Sequence, residues 1–346
     1  MTENPAAVAR KMGGMASTTA PRVSLVLGSG GARGYAHIGV IVELIERGYD
    51  IVGISGSSMG ALVGGLQAAG RLDDFAEWAE SLTQGAVLRL LDPSFTAAGV
   101  LRAGKILDVV RDILGDIDIE QLPIPYTAVA TDLIAGKSVW LQRGPVDTAI
   151  RASIAIPGVI APHVVDGRLL ADGGILDPLP MAPLCAVNAD LTLAVSLSGG
   201  DPATAGPASE DAERSAPGRL NRMMRSTSAL LDTSGARSLL DRPTARAILD
   251  RFSSGDTEDD PVDDDTAEAT SGAAGVPKLG SFEVMNRTID IAQAALTRHQ
   301  LASHPPDLLI EVPRIACRSL DFHRAAELIE VGRELTGRAL DATKSG

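Results

Sequence analysis

The 346 residues are 45% hydrophobic and 22% charged, enough apolar material to bury a substantial core and too much for a chain disordered throughout. A formal charge of -13 excludes most nucleic-acid binders, which need a net basic surface to displace counterions from phosphates. Eight carboxylates fall between positions 256 and 268 with no base among them, so the rest of the chain carries only about -5.

Residues 1–20 hold Arg10 and Lys11 but no apolar stretch before Pro21, and read as a flexible leader and not a signal peptide. A short apolar run at 23–27 predicts a strand, the glycine-rich 28–34 a loop, and the spacing of Ile38, Ile41, Val42 and Ile45 a helix over 36–46. The pattern repeats with a strand at 51–55, a turn at 56–58 and a small-residue helix running to 70. That uncharged stretch is too rich in glycine and serine for a membrane span. Strands alternating with helices predict an α/β fold on a mostly parallel sheet.

Helices are predicted at 73–82, 105–114 and 146–154, and strands at 126–131 and 138–141. Asp166-Gly167 between apolar flanks predicts a two-residue hairpin over 164–170 that feeds directly into Asp172-Gly173-Gly174. After a strand at 191–197 the composition turns to Ser, Thr, Ala, Asp and Pro. An acidic, disordered insertion is expected over 200–277, with a basic amphipathic stretch at 219–231 inside it. A helix at 281–301, a strand at 307–312 and a closing helix at 321–340, capped by Asp321, complete the order. The expected organisation is one domain built from 21–199 and 278–343 around the insertion. Cys185 and Cys317 are far apart and lack ligand spacing, so neither a disulfide framework nor a zinc site is expected, and a reducing cytoplasm fits.

Gly56-Ser57-Ser58-Met59-Gly60 matches G-x-S-x-G and sits between a predicted strand and a predicted helix, where a nucleophile elbow must sit. Gly56 and Gly60 leave room where neighbouring backbone crowds the turn, and the helix start favours negative charge at Ser58. Gly30-Gly31-Ala32-Arg33-Gly34 follows the first strand, and its small residues let successive N–H groups converge as an oxyanion hole requires. A dinucleotide loop would need glycine where Arg33 stands, and no Gly-Lys-Ser/Thr follows. A serine needs a base to attack an acyl carbon near neutral pH. Of the five histidines, His37 reads as a packed core residue, His299, His304 and His323 lie around the terminal helices, and His163 alone falls near the hairpin. Asp172 reads equally as a turn aspartate or as a working acid.

In this order the segments 30–34, 56–60 and 172–174 resemble the motifs of patatin-like phospholipases, in the bacterial branch similar to the catalytic domain of neuropathy target esterase. Ala130-Thr131-Asp132-Leu133 with Gly136, and the run 152–158, support the resemblance, which spans 23–197 and, more weakly, 281–340. It implies a three-layer fold with a central, mostly parallel sheet flanked by helices. It also implies a Ser-Asp dyad without histidine, in which Ser58 attacks and Asp172 accepts its proton and later activates water. Gly30, Gly31, Ala32 and Arg33 would form the oxyanion loop, Arg33 either bracing it or lying near a phosphate, with Gly34, Gly56, Gly60, Gly173 and Gly174 shaping the motifs. No cofactor or metal is implied. The substrate would be a phospholipid or lysophospholipid met at a transient membrane surface, such as the inner face of the cell membrane. The alternatives are a histidine-dependent α/β-hydrolase esterase and a non-catalytic lipid-binding protein of the same fold.

Overall fold

The computed structural model describes residues 20–90, 104–157, 159–200 and 281–344. The leader expected over 1–20 lies outside them apart from Ala20, as does the insertion expected over 200–277, including 219–231, apart from Gly200. Eight strands form one sheet: β1 (Arg22–Leu27), β2 (Asp50–Ser57), β3 (Tyr126–Asp132), β4 (Lys137–Leu141), β5 (His163–Val165), β6 (Arg168–Asp172), β7 (Leu191–Gly199) and β8 (Leu308–Pro313). β8, β7, β1, β2 and β3 run parallel in that spatial order, and β4, β5 and β6 add antiparallel pairings at the β3 end. The fold is therefore α/β with a mixed, mostly parallel central sheet.

The helices are α1 (Ala36–Glu46), α2 (Met59–Ala68), α3 (Leu72–Glu80), α4 (Gln84–Leu90), α5 (Gly104–Leu114), α6 (Val146–Ser153), α7 (Ser281–Ser303) and α8 (Ala325–Lys344). Side chains alternate across β1, and the two faces bury different partners. Leu25 and Leu27 enter the larger core with Ile38, Ile41 and Leu44 of α1 and Leu328 of α8. Val26 joins a smaller core on the other face with Leu179, Met181 and Leu184, against which Leu301 of α7 packs. With both faces covered, the central strands read as continuous apolar runs, which is why β1 was legible without alternation.

The arrangement around β3 decides where the site falls. β4 pairs along one edge of β3 from Ala128 to Asp132. Along the opposite edge β2 pairs as far as Ser57 against Val129, and β6 takes over from Asp172 against Ala130. β2 and β6 therefore meet end to end on one edge of β3, running toward each other. Their carboxyl ends are Ser57-Ser58 and Asp172. The hairpin that aims β6 turns at Asp166 and Gly167, both at positive φ (50° and 74°), the geometry of the predicted two-residue turn.

Two local readings are corrected, and a third holds. Helix α4 has no counterpart among the predicted elements, because seven residues carry too little periodicity to register. Asp321 does not cap the last helix: its carboxylate accepts the Arg318 N–H at 3.1 Å, a short 3-10 turn (Phe322–Arg324) follows, and α8 starts at Ala325. The uncharged stretch 51–70 is β2 followed by α2, as its glycines indicated. Among the described residues no helix is long and apolar enough to cross a membrane.

Helices α1 and α8 cross backbone to backbone. A Cβ on Gly39 would lie 1.8 Å from the Ile329 carbonyl oxygen, and one on Gly332 would lie 2.0 Å from that of Ala36. Neither carbonyl can yield without breaking its own helix. We expect Gly332→Ala to lower the unfolding free energy by about 1–3 kcal/mol, read as a drop in the denaturation midpoint. Gly85→Ala in α4, where nothing lies within 4 Å, serves as the neutral control.

Candidate active site

The end of β2 enters α2 through a single strained residue. Ser58 has φ 56° and ψ -122°, a region few non-glycine residues occupy and one held only when the surroundings over-determine it. The flanking glycines supply part of that constraint. A Cβ on Gly56 would fall 2.3 Å from the Gly60 carbonyl oxygen, and one on Gly60 only 2.1 Å from that of Leu27. The Ser58 N–H donates to Ser153 Oγ at 2.9 Å, and the Ser153 hydroxyl donates in turn to the Val129 carbonyl at 2.6 Å.

The Ser58 hydroxyl donates to Asp172 Oδ2 at 2.5 Å, and both residues are buried. Asp172 Oδ1 accepts the Gly174 N–H at 2.7 Å, and the Asp172 N–H donates to the Ala155 carbonyl at 2.9 Å. Gly173 lies so close to β3 that a Cβ there would sit 2.0 Å from the Val129 carbonyl oxygen. Burial pushes the Asp172 carboxyl up to about 6, even though the hydrogen bonds from Ser58 and Gly174 pull it down.

In the glycine loop the amides divide into used and unused. Gly28 N–H donates to Val195, Ser29 N–H to Pro178 and Ala32 N–H to Ser319. Those of Gly30 and Gly31 have no partner among the described residues, and both glycines border the same cleft as Ser58. The expectation that the Ala32 amide is an oxyanion donor is corrected, whereas Arg33 takes the bracing role, one of the two expected for it. The Ala32 amide is spent on Ser319, and the buried Arg33 guanidinium pairs with Asp290 of α7 at 3.2 Å. Arg33 thus braces α7 against the loop. His37 props the loop from below: its Nε2–H donates to the Gly28 carbonyl at 2.8 Å, and burial lowers its pKa to about 4, so it stays neutral.

Two cavities meet at Ser58 and share Gly31, Ile156, Val159 and Leu320 in their walls. One is walled by apolar side chains including Tyr35, Leu62, Phe75, Trp78, Ile154 and Phe322. The other is a mixed cleft, in which Asp172, Asp290, Gln293 and Ser319 stand among Ile156, Ile175, Ile289 and Leu320. A wholly apolar compartment thus adjoins one that also offers polar groups, and Ser58 borders both.

No histidine borders either cavity. His163 accepts a hydrogen bond from Arg151 Nε at 3.1 Å, while His299 and His304 lie at and just beyond the end of α7 and His323 in the turn before α8. Among the described residues no cluster of His, Cys, Asp and Glu forms a metal site. Sequence reasoning missed Ser153, whose run 152–158 was noted only for the resemblance, and the cavity walls on α3, α5 and α7, which no spacing links to Ser58.

A family model for patatin-like phospholipases matches residues 25–184. An uncharacterized NTE family protein of Mycobacterium tuberculosis is 68% identical over 354 aligned positions, covering 98% of this chain and 96% of its own. A second NTE family protein of the same species is 36% identical over 181 residues, 52% of this chain and 30% of its own length. The neuropathy target esterase sws of Drosophila melanogaster is 32% identical over 190 residues, 53% of this chain but 13% of that much longer one. By sequence and by fold, this chain belongs to the NTE family of patatin-like phospholipases.

Proposed function

We propose that this chain hydrolyses carboxylic ester bonds of phospholipids or lysophospholipids, with Ser58 as nucleophile and Asp172 as its only base. Lipid acyl hydrolysis is the activity the family implies. The observation that carries the finer reading is the 2.5 Å hydrogen bond from the Ser58 hydroxyl to Asp172, standing where the apolar cavity meets the cleft that holds Asp172, Asp290, Gln293 and Ser319.

In this reading the acyl chain occupies the apolar cavity and the glycerol and headgroup occupy the cleft. As Ser58 Oγ bonds to the ester carbon, its proton passes to Asp172 Oδ2 and the carbonyl oxygen becomes an oxyanion. The two unused amides of Gly30 and Gly31 donate to that oxygen, each worth roughly 10²–10³ in rate by analogy with measured oxyanion-hole deletions. The dipole at the start of α2 favours the same charge. Collapse breaks the ester bond, and the departing alcohol takes the proton from Asp172. Water then gives a proton to Asp172 and attacks the acyl carbon; release of the fatty acid returns that proton to Ser58.

Ser58→Ala is expected to abolish labelling by a fluorophosphonate probe and to lower kcat by about 10⁴-fold or more on a phospholipid or soluble ester. Asp172→Asn should leave little of either signal. His163→Ala should retain activity far above the roughly 10²–10⁴-fold loss that removal of a general base brings. Undiminished labelling of Ser58→Ala would end the assignment.

The Asp172 carboxyl must be ionised to accept a proton, so kcat/KM is expected to fall on the acid side with a midpoint near pH 6. Stability should respond in the opposite sense. The native carboxyl, held at about 6 against 3.8 unfolded, binds its proton more tightly than the unfolded chain does. Stability contributed by this group is present below the unfolded pKa and is lost as pH rises through about 6. Asp172→Asn is therefore expected to melt higher than the native chain at pH 8, with the advantage gone below pH 4. A native chain that stays fully active at pH 4.5 would contradict the first expectation, and an Asn variant less stable at pH 8 the second.

A further inference from the structure

Helix α7 turns a mixed side to the body: Asp290 pairs with Arg33, Gln293 and Thr297 are only 8% and 5% exposed, and Gln300 bonds both the Asp177 carboxylate and the Leu179 N–H, while Ala294 is buried and Leu301 packs on the smaller core. The side facing out carries Val284, Arg287, Ile291, Ala295 and Arg298, all exposed and spaced 3, 4, 4 and 3 residues apart, so they form one continuous stripe. Ile291 is 64% exposed and Val284 47%. Isolated exposed aliphatics are ordinary, but here two β-branched aliphatics share one outward stripe, and among the described residues nothing buries them.

We propose that the outer face of α7 docks on a lipid bilayer bearing anionic headgroups. The stripe sets Arg298 on the same face as its aliphatics in a chain whose formal charge is -13, which is the composition of an interfacial helix and complements a negative surface. Its position continues the site. The inner side of the same helix walls the cleft at Ser58 through Ile289, Asp290 and Gln293, and Arg314 donates to the Asp290 carbonyl at 3.1 Å. A bilayer held there would lie against the rim of the cleft, so a lipid could pass from it toward Ser58 without crossing water. The inference deepens the lipid-hydrolase reading by naming the surface through which substrate would arrive.

The test is flotation of the full chain, carrying Ser58→Ala so that the vesicles stay intact, with vesicles of phosphatidylcholine and phosphatidylglycerol and with phosphatidylcholine alone. Binding is expected to the mixed vesicles and to fall about tenfold on phosphatidylcholine alone and in Ile291→Glu or Arg298→Glu. In chains that keep Ser58, the same two substitutions should leave hydrolysis of p-nitrophenyl butyrate, a soluble ester, unchanged. Arg298→Glu exchanges one exposed polar group for another and keeps the test valid should Ile291→Glu misfold. Equal flotation of variants and parent, absence of parent flotation, or a parent dimer that Ile291→Glu dissociates would each overturn the proposal. A parent that floats through α7 yet cleaves no ester would instead remove the hydrolase reading and leave the docking face standing.

Discussion

Everything about this site depends on holding one hydroxyl and one carboxylate together out of water. Burying a carboxylate is costly unless hydrogen bonds compensate, and here the compensation is small: the Ser58 hydroxyl on one oxygen and the Gly174 amide on the other. The pair is fixed by backbone and not by side-chain reach. β2 and β6 end against each other on one edge of β3, so their terminal residues face one another whatever their side chains do. The segment after α6 then braces both, Ser153 taking the Ser58 amide and the Ala155 carbonyl taking that of Asp172. The Val129 carbonyl is the shared reference point, accepting from Ser153 while Gly173 packs against it. A side chain at position 173 would push the carboxylate away from the serine; glycine there is a distance constraint.

The same logic explains the loop opposite. A loop whose amides all bonded to protein could not receive a new charge, and one with none bonded would not hold its shape. Here the donors on either side are committed, Gly28 and Ser29 before and Ala32 after, to carbonyls of neighbouring segments, with His37 fixing the Gly28 carbonyl and Arg33 tied to α7. Gly30 and Gly31 are left over. Gly31 stands at φ 58° with the Ser319 carbonyl 2.5 Å from where a Cβ would be, so its freedom to donate depends on its lack of a side chain. Pre-positioned donors of this kind are worth far more in a water-poor site than in solution, since they need no reorganisation when charge develops.

The chemistry was legible where it is local. G-x-S-x-G between a strand and a helix, glycines after a strand, and Asp-Gly-Gly after a hairpin turn each carry a conformational demand that a few adjacent residues express. What could not be read is what arises between distant segments. The identity of the free amides depends on Ser319, nearly three hundred residues from the loop it touches. The role of Arg33 depends on Asp290, and that of Ser153 on β2 and β3 converging on it. The inward glutamines of α7 weakened its helical pattern, so the helix could be recognised by length but its orientation could not.

A lone carboxylate is an unusual partner for a serine because an ordinary aspartate, near 3.9, is too weak a base at neutral pH. Imidazole serves elsewhere because its ordinary pKa lies near 6.5. In this fold burial lifts Asp172 to about 6, close to that of an unperturbed histidine, while the buried His37 of α1, which holds the loop, is pushed down to about 4. Desolvation acts in opposite directions on the two residue types because only the charged form is penalised, and the charged form is the base of one pair and the acid of the other. A dry pocket therefore improves an aspartate as a general base and spoils a histidine. On the proposed dyad, the apolar compartment that an acyl chain would need beside Ser58 is also the environment that would let a single aspartate serve as base.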